Sequence, residues 1–170
     1  MIRYIIDGHN LIHTVSPYLD LLDRSYTRAL KKVTEDIDTY TQSKNVEAVL
    51  VFDGNPPWEP PETAGNLSLI FSGEDREADS VIADRARQWQ GPQTVVVSRD
   101  GGIRRMAASM GCRTASPGEF YRLIRLKKRE GTPTPEGPKG KSDGLAPHQV
   151  ESWKKEIQQA LAKKKKEDHR

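Results

Sequence analysis

Three apolar runs in this chain end in aspartate, and that pattern constrains the fold more than any other feature of the sequence. "YIID" closes at Asp7, "VLVFD" at Asp53, and "VVVSRD" at Asp100. The runs are nearly continuous in Ile, Val, Leu and Phe, as strands covered on both faces are, whereas half-exposed strands alternate. Strands are expected at Ile2–Ile6, Glu47–Phe52, Leu67–Phe71 and Thr94–Ser98, with a weaker one at Cys112–Ala115. Helical stripes separate them. Leu30, Val33, Ile37 and Tyr40 form one, Ala78, Val81, Ile82 and Trp89 a second, and Ile103, Met106, Ala107 and Met110 a third. In "SPGEF", Ser116 and Glu119 make a capping box around Pro117 and announce another helix. Alternating strands and helices predict an α/β fold with a mainly parallel central sheet.

The rest of the chain reads differently. "NPPWEPPETAGN", Asn55 to Asn66, is too rich in proline for helix or strand and is expected to be a loop. A single α/β domain is expected over 1–129, a Pro/Gly-rich flexible linker over 130–146, and a basic amphipathic helical tail over 147–170. Val150, Trp153, Ile157 and Leu161 form the apolar side of that tail, which runs into Lys163–Lys166. Charge follows the same division. Residues 1–125 hold 15 Lys+Arg against 17 Asp+Glu, and residues 126–170 hold 12 against 7. A basic tail favours polyanions and equally keeps a protein soluble. A single cysteine, Cys112, excludes an internal disulfide framework. With no membrane-length apolar run and no secretory leader at "MIRYII", the protein is expected to be soluble and cytoplasmic, with no membrane partner.

In open parallel sheets, ligands bind outside the carboxyl ends of the strands, where Asp7, Asp53 and Asp100 stand. Asp79, in "EADSVIADRA", falls at the edge of a buried helical stripe and is the fourth candidate. Glu77 and Asp75 are nearby but point elsewhere. Grouped carboxylates need protons or a cation to stay together. An all-oxygen set suits Mg²⁺ or Mn²⁺. Such an ion can activate water and stabilise a leaving oxygen, which points to phosphodiester hydrolysis. Each acid also has a bland explanation as a turn or helix cap. Rival uses of strand-end acids fit less well. The Gly-rich spacing of a dinucleotide fold and a P-loop are absent. The late lysine of a receiver domain is missing, and His9 occupies the place of a phosphatase's second acid.

"IIDGHNLI", "VLVFDG", "EADSVIADRA" and "VVVSRDGGIRR" resemble, in order, the motifs of the NYN domain, the YacP-like branch of the PIN-like nucleases. The resemblance covers about residues 1–125. It implies a three-layer α/β/α PIN-like domain, Mg²⁺ or Mn²⁺ dependence and endonucleolytic cleavage of RNA. Asp7, Asp53, Asp79 and Asp100 take the acidic roles, and Asn10 the polar place beside the first acid. Single-stranded RNA or mRNA is then the expected partner, with the ribosome a candidate. Two positions depart from the family pattern: His9 replaces its usual tyrosine, and Ser98-Arg99-Asp100 its usual Thr-Ser-Asp. His9, Asn10, Arg99, Arg104 and Arg105 are candidate substrate contacts, though the arginines equally suit a solvated face, as does Arg76. His9 is expected in an exposed turn, and His13 to cap or pack. Trp58 has two readings, stacking on a base or packing in its own loop. Against the nuclease stand a non-catalytic RNA- or ribosome-binding module with a vestigial acidic site, and a phosphatase-like domain for small phosphates.

Overall fold

Helices separate the strands, except between the second and third, in a computed structural model that describes residues 1–60 and 62–129, with side chains described to residue 126. The expected linker and tail, with Trp153 and Lys163–Lys166, lie outside the described residues. Five strands are present: β1 Ile2–Asp7, β2 Val46–Phe52, β3 Leu67–Phe71, β4 Thr94–Val97 and β5 Arg113–Ala115. Helices α1 Gly8–Thr14, α2 Ser16–Arg24 and α3 Tyr26–Ser43 lead from β1 to β2. Helix α4, Ala78–Gln88, leads to β4, α5, Gly101–Ser109, to β5, and α6, Pro117–Arg129, follows β5. The sheet is parallel throughout, in the order β3-β2-β1-β4-β5. The chain moves outward from β1 to β3 and then crosses to the other side of β1. The strand order therefore reverses between β1 and β4, the position where such sheets open a ligand crevice.

Neighbouring residues of one strand face opposite layers. Ile5, Val49, Val51 and Val96 pack with Ala78, Ile82 and Ala86 of α4 and Ile103 and Ala107 of α5. Tyr4 points the other way, to Tyr40 of α3 and Phe120 of α6, with ring centroids at 6.1 and 5.2 Å. Helices on both faces explain why residues 4–6 of β1, 48–51 of β2 and 95–97 of β4 are apolar without alternation. The stripe Leu30, Val33, Ile37 and Tyr40 is buried as its spacing predicts. The capping box also forms: Ser116 N–H donates to Glu119 Oε2 at 2.6 Å, and Glu119 N–H to Ser116 Oγ at 3.2 Å. Residues 55–66 contain neither helix nor strand among the described positions, and Cys112 is buried beside β5, its thiol pKa pushed up by that burial.

Two helices have no counterpart in the sequence pattern. Helix α1 starts with Gly-His-Asn, which are weak helix formers, and α2 follows it immediately through Val15. Tertiary contacts overrule that propensity. Asp7 caps α1, and Leu11 and Ile12 are fully buried, contributing about 2 kcal/mol each. This corrects the placement of His9, which sits half-buried in the first turn of α1 and not in an exposed turn. Gly8 is required there because a side chain would collide with the end of β2: its Cβ would stand 2.3 Å from Cε1 of Phe52.

Candidate functional site

Register brings the first elements of the site together. Asp7 pairs with Val51, and Ile6 with Val97. Ser98, one step beyond Val97, therefore lies beside Asp7, and Asp53 lies two steps beyond Val51. Ser98 is fully buried. Its hydroxyl donates to Asp7 Oδ2 at 3.3 Å and accepts from the Asp100 N–H at 3.1 Å. One small side chain thus links the acids after β1 and β4. The sequence shows Ser98 only as a substitution within a motif, since its partner is 91 residues away.

Three of the four aspartates use one carboxylate oxygen to cap a helix. Asp7 Oδ1 accepts from Asn10 N–H at 3.2 Å in α1, and Asp100 Oδ1 from Ile103 N–H at 2.8 Å in α5. Asp53 Oδ1 reaches across to the Ala78 N–H at 2.6 Å, which brings the start of α4 to the end of β2. Asp79 is the next residue, and that bond delivers it to the site. The capping reading of these acids is therefore correct, and it does not compete with the clustered reading. Each cap fixes one oxygen of its carboxylate, and the second oxygen of Asp7 accepts from Ser98. Three helix N-termini converge here, and their partial positive ends favour negative charge.

The acids act on one another electrostatically. Burial pushes the Asp7 carboxyl above its ordinary range; the Asn10 N–H opposes this, and the charges of Asp79 and then Asp53 reinforce it. Asp79 is also raised, first by desolvation and then by Asp100, Asp53 and Glu77. All four candidates thus share one field, with the charge of Asp79 felt by, or feeling, each of the others. None of the ion pairs among the described residues engages them. Nor do any three His, Cys, Asp or Glu side chains among the described residues lie close enough to hold a metal ion jointly. Asp7 is half-buried, while Asp53, Asp79 and Asp100 are exposed.

His9 and Asn10 are occupied in holding loops. Asn10 Oδ1 accepts from the Arg99 N–H at 2.7 Å, tying α1 to the turn before Asp100. His9 Nδ1 accepts from the Asp53 N–H at 3.2 Å, so Nε2 carries the proton and donates to Tyr26 Oη at 2.6 Å. Burial lowers the pKa of this imidazole, Asp53 opposes that shift, and His13 adds to it. Tyr26, at the start of α3, is a site residue that no sequence signal marked. The side chains of Arg99, Arg104 and Arg105 are exposed, the last two on α5. Arg76 pairs with Asp84, and His13 is exposed at the end of α1. Trp58 packs edge-on against Phe71 at 6.1 Å, and its buried indole N–H meets no partner among the described residues.

A family model of the YacP-like NYN domain matches residues 4–167. The crystal structure of Rae1 (YacP) from Bacillus subtilis is similar at 19% identity and a TM-score of 0.64, over 96% of this chain and 90% of that one. A tryptophan-to-leucine mutant of the same Bacillus subtilis protein is similar at 22% identity and a TM-score of 0.63, over 75% and 77%. Comparison with curated proteins found no match.

Proposed function

The chain belongs to the YacP-like NYN domain family, and from that premise we propose that it is an endoribonuclease working with Mg²⁺ or Mn²⁺, the ion held by one or two of the carboxylates of Asp7, Asp53, Asp79 and Asp100 and otherwise by water and substrate oxygens. The observation that carries the reading is geometric: Asp7, Asp53 and Asp100 cap three helices at the carboxyl edge of the sheet, by its switch point, Asp79 follows in the first turn of α4, and none of the four joins an ion pair among the described residues. Extra negative charge held without a cationic side chain suits a divalent cation. Mg²⁺ in particular uses one or two carboxylates and fills its remaining positions with water and phosphate oxygens. An open set of acids therefore suits it better than a closed cage would. When bound, such a cation supplies Lewis acidity toward a phosphodiester and lowers the pKa of water.

The chain's own residues orient and attract. Ser98 and the Asn10 N–H hold both oxygens of Asp7. His9 fixes the backbone of Asp53, and Asn10 that of Arg99. Arg99, Arg104 and Arg105 are free to meet the phosphates of a single strand, positioning it without reading its sequence.

The test is cleavage of a labelled single-stranded RNA pool by the native chain and by Asp79→Asn. Cleavage with Mg²⁺ or Mn²⁺, lost with chelator and reduced at least about 100-fold in the variant, is expected. RNA retained by both proteins and cut by neither would favour the non-catalytic binding module. Hydrolysis of a small phosphomonoester without RNA cleavage would favour the phosphatase reading.

A further inference from the structure

A row of rings borders the acids along the carboxyl edge of the sheet. Phe52 ends β2 and Phe71 ends β3, and the two stack with centroids 5.4 Å apart at 28°. His9 meets Phe52 edge-on at 5.5 Å and 74°, and Tyr26 continues from His9 at 5.7 Å and 12°. Phe52 is fully buried, whereas Tyr26 is 37% exposed, the large apolar side chain most open to solvent among the described residues.

Tyr26 is held in place. Its hydroxyl accepts from His9 Nε2, while Nδ1 of the same ring accepts from the Asp53 N–H. Two hydrogen bonds therefore connect the phenol to the backbone of a site carboxylate. The nearly parallel rings meet along their edges, since Nε2 lies only 2.6 Å from the hydroxyl while the centroids are 5.7 Å apart. His9 thus does not lie over the phenol face. A rigid, exposed aromatic face beside an acidic site matches the requirement for stacking on an unpaired base, which any base can satisfy. Because the hydroxyl is already anchored, little side-chain freedom remains to be lost on binding.

We propose that Tyr26 is a stacking subsite for an unpaired base of the RNA strand that meets the carboxylates. This rests on the nuclease reading above for the identity of the strand. The test is fluorescence anisotropy with labelled decauridylate and the full chain, in chelator so that nothing is cut. Tyr26→Leu removes the π face and is expected to weaken binding about tenfold. Tyr26→Phe keeps the face but loses the hydroxyl anchor, and is expected to weaken binding by only about threefold, clearly less than Tyr26→Leu. Thermal melts of both variants control for folding. Equal binding by Tyr26→Leu would overturn the subsite and leave the nuclease reading to stand on its cleavage assay. Equal losses in both variants would assign the effect to the hydroxyl and also overturn it. Failure of the native chain to bind would overturn it as well. Ring-dependent binding without metal-dependent cleavage would support the subsite and count against the nuclease.

Discussion

Gly8→Ala tests the approach of α1 to the sheet on which the site depends. A Cβ at this position would lie 2.3 and 2.5 Å from Cε1 and Cδ1 of Phe52 and 2.9 Å from the Val51 carbonyl oxygen. Carbon atoms in contact stand about 3.5–4.0 Å apart, so the overlap exceeds about 1 Å. Neither neighbour can yield easily. Phe52 is fully buried between Phe71 and His9, and Val51 is paired with Asp7 within the sheet. If α1 moved instead, it would strain the Asn10 bonds to Asp7 and Arg99. Overpacking costs about 1–3 kcal/mol and sometimes more, and two rigid neighbours place this case near the upper end. At about 4 °C per kcal/mol, the melting temperature should fall by about 10 °C. Gly54→Ala is the comparison: its φ is +76° with nothing within 4 Å of the added Cβ. It should cost only the about 1–2 kcal/mol of a left-handed backbone. Thermal unfolding followed by circular dichroism reads both. If Gly8→Ala melted within about 3 °C of the native chain, or above Gly54→Ala, the close approach would be refuted.

Asp7→Asn keeps a good helix cap while removing a charge whose folded pKa is raised. Raised means that the native state holds the proton more tightly than the unfolded state. The stability this confers is fully present below the ordinary carboxylate pKa of 3.8 and is lost as pH rises through the folded value. In chelator, the stability of the variant should therefore gain on that of the native chain as pH rises from about 4 to about 7, and with Mg²⁺ or Mn²⁺ the variant should lose cleavage. A constant difference in melting temperature across that range would contradict the sign. Asp53→Ala and Asp79→Ala should separate structure from chemistry. Both should abolish cleavage, but only Asp53→Ala deprives the Ala78 N–H of its partner, at about 1 kcal/mol in urea denaturation. Equal losses of stability would show that the cap is not formed by Asp53.

Much of the fold is local and therefore legible. A run such as "VLVF" can be a strand buried on both faces in any sheet that covers it, and the Leu30–Tyr40 stripe forms one helix face by its spacing alone. The Ser116–Glu119 box spans four residues and forms as read. Acids after three such runs had to fall at the carboxyl edge once the strands were parallel. Among the described residues no helix is long and apolar enough to cross a membrane, as the absence of a long apolar run implies.

Other features depend on contacts between distant parts of the chain. Helix α1 exists because buried Leu11 and Ile12 and the Asp7 cap outweigh a poor local propensity. His9 and Asn10 look like exposed polar residues in sequence, yet they hold Asp53 and Arg99 across 44 and 89 residues. Ser98 and Tyr26 gain their places only when β4 lies beside β1 and α3 returns to the edge of β2. By itself the sequence determined the strands and most helices, and marked four acids as candidates, because side-chain periodicity and capping act within a few residues. The strand order, the placing of those acids along one edge of the sheet and the side chains that hold them were decided by the tertiary structure, because each depends on pairings between distant parts of the chain that only the folded sheet makes.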